Sequence, residues 1–179
     1  MVKITHARSN NLLKDYKMSN TYTKSQIRVH WLVVALIALQ YFIGESAVAL
    51  QGAFEEGKNL ASFDSLLGNL HIYLGIAVLF AAFYRLTLRL RNGVPPHPSG
   101  SSDMQNMVAS VVHWGLYGSI FLLPITGLIG WYGQQEIAFQ IHLLLKNIMI
   151  GLMALHVIGA VYHHFILQSD SLKRMLKFN

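Results

Sequence analysis

Polar and apolar positions divide this chain into four long charge-free stretches joined by short polar segments. Val29 to Gly44, Ser65 to Tyr84, Met104 to Gln135 and Asn147 to Ser169 contain no Asp, Glu, Lys or Arg, and apolar character continues past Glu45 to Leu50. About 20 mostly apolar residues suffice for a helix to cross a bilayer. Leu, Ala, Ile and Met dominate, and the short alternation of half-buried strands is missing, so the pattern predicts helices. Helices are also one of only two backbone solutions in lipid. The first stretch is too long, and too far from Met1, for a cleaved signal peptide. The expected fold class is all-α, a transmembrane four-helix bundle with spans at about 27–50, 66–90, 104–131 and 140–167.

The connections are short. Residues 51–64 form a polar loop, and Asn92 to Asp103 is a Pro/Gly/Ser turn that cannot continue a helix. The third connection, near Tyr132 to Gln140, is the tightest. Residues 1–20 read as a polar, mobile extension, within which Met18 is an alternative start, and residues 21–179 as a single domain.

Composition sharpens this picture. Of the 179 residues 53% are hydrophobic and 12% charged, whereas a soluble domain carries about 25% charged residues. Absence of cysteine excludes disulfides, iron–sulfur clusters and covalently attached c-type haem. The net charge of +6 is a matter of placement. Residues 1–28 hold six Lys and Arg, the second connection Arg85, Arg89 and Arg91, and the tail Lys173, Arg174 and Lys177. Twelve of the fourteen basic residues thus fall on one side, with only Lys58 and Lys146 opposite. By the positive-inside rule both termini are cytoplasmic. No aromatic-interleaved basic patch points to nucleic acid.

Nine histidines remain, and seven of them (His30, His71, His113, His142, His156, His163 and His164) lie at membrane depth. Polar side chains there face the bundle interior and find a partner. The direction of each span places His71 and His142 near the outer face, on different helices. His30 is near the cytoplasmic face, and the fourth span carries His156, His163 and His164 progressively inward. His142 and His156 are fourteen residues apart, about 21 Å along one helix face. Two levels, each open to an imidazole from another helix, suit two non-covalent b-type haems with bis-histidine ligation, the low-spin arrangement for electron transfer. The outer pair is His71 with His142. At the inner level His30 could meet His156, His163 or His113; the face shared with His142 favours His156. For His113 and His164 a packing role is the simpler reading.

Other residues carry weaker signals. Arg85 lies fourteen residues after His71, where it could pair with a haem propionate or join Arg89 and Arg91 as a cytoplasmic anchor. Lys146, one turn from His142, could snorkel outward, bind a propionate or attract a small anion. Gly75, Gly151 and Gly159 allow close packing or make room for a porphyrin face. Trp31, Trp114 and Trp131 read as interfacial anchors, and Pro124 as a kink in the third span.

These residues also form an ordered set. His30-Trp31 opens the first span, and His71 leads to Gly75, Arg85-Leu86 and Arg89-Leu90. His113, Tyr117, Leu123-Pro124 and Gly127 mark the third, and His142, His156, His163-His164, Leu172 and Arg174-Met175 the fourth and the tail. From Tyr22 to Met175 the chain resembles the prokaryotic cytochrome b561 family, small four-helix di-haem proteins of the bacterial cytoplasmic membrane. The resemblance implies that His30 and His156 ligate the cytoplasmic-side haem iron, and His71 and His142 the periplasmic-side one. It also implies single-electron transfer, and one branch is similar to superoxide oxidases that pass electrons to ubiquinone. Where the family commonly has Lys-Asp, this chain has Gln168-Ser169, which puts any anion-binding role of that lysine in doubt. The expected function is therefore an oxidoreductase carrying electrons between a small donor, superoxide among the candidates, and the quinone pool. Alternatives are a cytochrome b anchor for a periplasmic redox partner (a dehydrogenase or hydrogenase) and a haem-free transporter or scaffold.

Overall fold

A computed structural model describes residues 21–97 and 100–176. The expected polar extension, residues 1–20 with Met18, lies outside the described residues. Among those described there is no strand, and the helices run α1 Lys24–Glu55, α2 Ser62–Asn92, α3 Asp103–Gly133, α4 Glu136–Phe165 and α5 Ser171–Leu176. The first four are each long and apolar enough to cross a membrane. Few of their residues are buried by protein: Phe42 is 81% exposed and Phe80 71%. Helices apolar on nearly every side are stable when lipid covers what protein does not.

The helices extend past the expected spans because a helix persists into the polar interface, whereas a charge-free run stops at the first ionised residue. Thus α1 continues to Glu55, which shortens the first outer connection, and α4 starts at Glu136, which reduces the third connection to Gln134 and Gln135. The fourth span ends earlier than expected. Leu167 N–H bonds Tyr162 O, Ser169 N–H bonds His163 O, and Gln168 takes φ +50°, so the chain turns off after Phe165.

Local sequence explains the inner ends. Thr23 and Ser102 cap α1 and α3, each in a reciprocal capping box with Gln26 or Gln105. Gln26 also donates to Gly93 O at 2.9 Å, tying the start of α1 to the end of α2. Trp31, expected as an interfacial anchor, donates from Nε1 to Met175 O at 2.8 Å and so holds α5 against α1.

Packing makes two antiparallel hairpins, α1 with α2 and α3 with α4, joined more thinly through α2 and α3. Glycines draw each hairpin together at its outer end. A Cβ on Gly68 would stand 2.8 Å from Leu50 Cβ and from Ser46 O, and one on Gly130 would stand 3.3 Å from the Phe139 backbone. Gly151 and Gly159 do not act this way, because nothing lies within 4 Å of the Cβ either would carry. The core is an apolar layer of Val33 and Ile37 from α1, Val78 and Ala82 from α2, Ile120 and Leu123 from α3, and Met149 from α4. It sits between the two histidine levels, with Met149 seven residues from both His142 and His156.

Candidate functional site: two facing histidine pairs

All seven membrane-depth histidines are half-buried, so none projects fully outward. At the outer level His71 on α2 faces His142 on α4, with ring centres 6.2 Å apart and planes crossed at 74°. At the inner level His30 on α1 faces His156 on α4 at 6.3 Å and 67°. With metal–nitrogen bonds of about 2.0 Å and about 1.1 Å from ligating nitrogen to ring centre, imidazoles opposed across one ion have centres about 6.2 Å apart. Both pairs have that spacing. Each also joins one helix hairpin to the other, as core ligation in a bundle requires.

Spacing separates the inner candidates. His113 touches His156 at 5.1 Å, too close for an ion between the two rings, and packs edge-on against it. His163 packs on Tyr162, and its buried Nδ1 has no hydrogen-bond partner among the described residues. His164 packs on Phe165 and reaches Ser169 O at 3.5 Å. Among the described residues no group of three or more His, Cys, Asp or Glu is arranged to hold a metal ion. Two opposed imidazoles instead suit an iron whose equatorial ligands come from a macrocycle.

One outer histidine has a defined ring orientation. His142 Nδ1 donates to Leu123 O at 2.8 Å, across the α3–α4 hairpin. His71 Nδ1 is buried with no hydrogen-bond partner among the described residues, and the Gln40 side chain ties this stretch of α2 to α1 by donating from Nε2 to His71 O at 2.9 Å. With Nδ1 bonded to Leu123 O, the His142 ring offers Nε2 to the space between the hairpins. Anchoring of the second ring nitrogen to a carbonyl is the usual support for a metal-bound histidine. The space itself is a cavity of about 360 Å³, lined by apolar residues such as Ile37, Val78, Ile120 and Met149, with both histidines and Lys146. Gly127 and Gly44 admit the rings. A Cβ on Gly127 would meet His142 Nδ1 and Cε1 at 3.1 Å, whereas one on Gly44 would meet His71 at an ordinary 3.8 Å.

Arginine and aromatic residues frame the inner level. Arg85 lies 5.8 Å over Tyr117, and Arg89 5.4 Å over Trp114 and 5.6 Å over Tyr117. Arg85 is within electrostatic reach of both His30 and His156. Neither arginine is in an ion pair among the described residues. Burial pushes the Tyr22 phenol above its ordinary range, against the opposing pull of Arg89 and Arg85. A carboxylate ligand would therefore find unpaired guanidinium groups here.

The sequence singled out all four facing histidines, together with Arg85. It missed the roles of Gln40, Leu123, Gly44 and Gly127, which depend on a neighbouring helix; Leu123 and Gly127 sit among the residues of the ordered set but without a role of their own there.

Comparison with known proteins bears directly on this geometry. The family model for prokaryotic cytochrome b561 matches residues 21–178. Cytochrome b562 of Cereibacter sphaeroides is 30% identical over 156 residues, covering 87% of this chain and 95% of that protein. A probable superoxide oxidase, CybB, of Yersinia pestis is 29% identical over 180 residues, covering 89% and 97%. Cytochrome b561 homolog 1 of Escherichia coli is 30% identical over 182 residues, covering 88% and 97%.

Proposed function

The chain belongs to the prokaryotic cytochrome b561 family of haem-binding four-helix membrane proteins, and from that premise we propose that it is a di-haem electron carrier between a one-electron donor and the quinone pool. The observation that carries the reading is the repeated spacing of 6.2 and 6.3 Å in two histidine pairs at opposite ends of the bundle. His71 and His142 would hold the outer haem, and His30 and His156 the inner one. When bound, the two haems supply reversible one-electron chemistry with no exchangeable ligand position.

The residues of the chain do the rest. The four imidazoles would hold the haems by two nitrogens each, which would disfavour oxygen binding. The apolar layer around Met149 keeps water from the interval between the two levels. Arg85 would pair with a propionate of the inner haem, and lipid covers the outer face of every span. The distribution of basic residues supports a bacterial inner-membrane location with both termini on the cytoplasmic side.

Superoxide is the proposed donor, by analogy with the probable superoxide oxidase of Yersinia pestis. Two superoxide ions would yield two dioxygen molecules and two electrons, and a quinone would take both electrons with two protons to become quinol. Purified protein supplied with superoxide and a short-chain ubiquinone is expected to reduce the quinone at a rate proportional to its concentration. Failure to do so, combined with recovery from membranes bound to a periplasmic dehydrogenase or hydrogenase, would favour the anchor-subunit reading instead.

A further inference from the structure

The Leu123 carbonyl serves more than its own helix. It accepts His142 Nδ1–H at 2.8 Å and also the hydroxyl of Thr126 at 3.0 Å. Thr126 has an ordinary option as well, since its Oγ1 lies 2.8 Å from Leu122 O, four residues back, where helical threonines commonly bond. The contact to Leu123 is the one that bears on the site. A carbonyl oxygen has two lone pairs, and a donor on one of them reduces its strength as an acceptor for the other.

We propose that Thr126 is a positioning residue that sets the redox potential of the outer centre by sharing the Leu123 carbonyl with His142. The inference rests on the assignment of His142 as an axial ligand. A stronger acceptor at Nδ1–H makes the imidazole more electron-rich and a better ligand to ferric than to ferrous iron. Stronger acceptance therefore lowers the potential. The Thr126 hydroxyl weakens acceptance, so it holds the outer potential up. Hydrogen bonding around ligands is one of the general means by which proteins adjust haem potentials. Three residues close in sequence then act on one ring. Leu123 holds it, Thr126 moderates that hold, and Gly127 leaves room for its edge.

The test is a spectroscopic redox titration of the haem-loaded protein in detergent or nanodiscs. Thr126→Val is expected to shift the ferric-to-ferrous ratio of the outer haem at fixed potential by about threefold toward ferric, a fall of about 30 mV at 59 mV per tenfold for one electron. The inner haem should not move. Thr126→Ala, which removes the same hydroxyl without a branched side chain, should shift in the same direction, and Thr126→Ser should restore the parent value. An unchanged or raised outer potential in both Val and Ala variants overturns the proposal, as does loss of the outer haem in both. If the parent protein has no low-spin haem that His142→Ala abolishes, the ligand assignment fails together with the proposal. A parent with that haem and an immobile potential defeats the proposal alone.

Discussion

Replacing His71 or His142 with alanine is expected to abolish the same low-spin haem, reducing bound haem from two per chain to one. The two residues lie 71 positions apart on different helices, yet their rings face each other at 6.2 Å, so either change leaves one iron with a single axial imidazole. His30→Ala and His156→Ala should produce the complementary loss, at the inner level. His113→Ala should retain both haems, because at 5.1 Å its ring packs on His156 and leaves no room for an ion between them. Haem content and the low-spin spectrum of each variant check this pattern. Two unchanged low-spin centres in either outer variant would contradict the outer pair. An inner loss caused by His113→Ala but not by His30→Ala would contradict the inner one.

A single methyl group at Gly127 is expected to have the next largest effect. The Cβ of Gly127→Ala would stand 3.1 Å from both Nδ1 and Cε1 of His142, tighter than most packed carbon contacts. The ring must give way by a few tenths of an ångström, and the 2.8 Å bond to Leu123 O is strained as it does so. Loss of such outer support typically weakens metal binding by about 10–100-fold. The outer haem should therefore pass to a haem-scavenging protein about that much more readily, while the inner haem stays. Gly44→Ala is the matched control: its Cβ would meet His71 at 3.8 Å, ordinary contact, and haem retention should be unaffected. Equal retention in the Gly127 and Gly44 variants would show that the ring has slack at this position.

Much of this architecture is legible in the sequence, for identifiable reasons. Four charge-free runs mark the spans because lipid excludes ionised side chains at depth. The fourteen-residue interval from His142 to His156 gives the two levels because the helix repeat is regular. The span limits were less legible: Glu55 and Glu136 sit inside helices whose ends have left the hydrocarbon. At the inner level depth alone left His113 and His163 as rivals to His156, since choosing among them needs ring-to-ring distances across helices. The glycines were harder still. Gly151 and Gly159 look like packing residues but have open space around them, whereas Gly68 and Gly127 each press on a named neighbour. A glycine shows that room exists, and only the facing helix shows what uses it.

The arrangement also explains how a chain with few charged residues can handle electrons across a membrane. Its polar groups are concentrated at two levels, and the layer between them is apolar. Arg85 and Arg89, in no ion pair among the described residues, sit at the inner end, against Tyr117 and Trp114. A propionate there would replace cation–aromatic contact with a charge-assisted bond, so this end gains most from occupancy.

The most direct measurement is the dithionite-reduced minus oxidised visible spectrum of the purified protein, taken with a haem-to-protein ratio. Two opposed histidine pairs predict a sharp α-band from low-spin b-type haem and two haems per chain. A flat α-band region, or a single haem per fully loaded chain, would contradict the account.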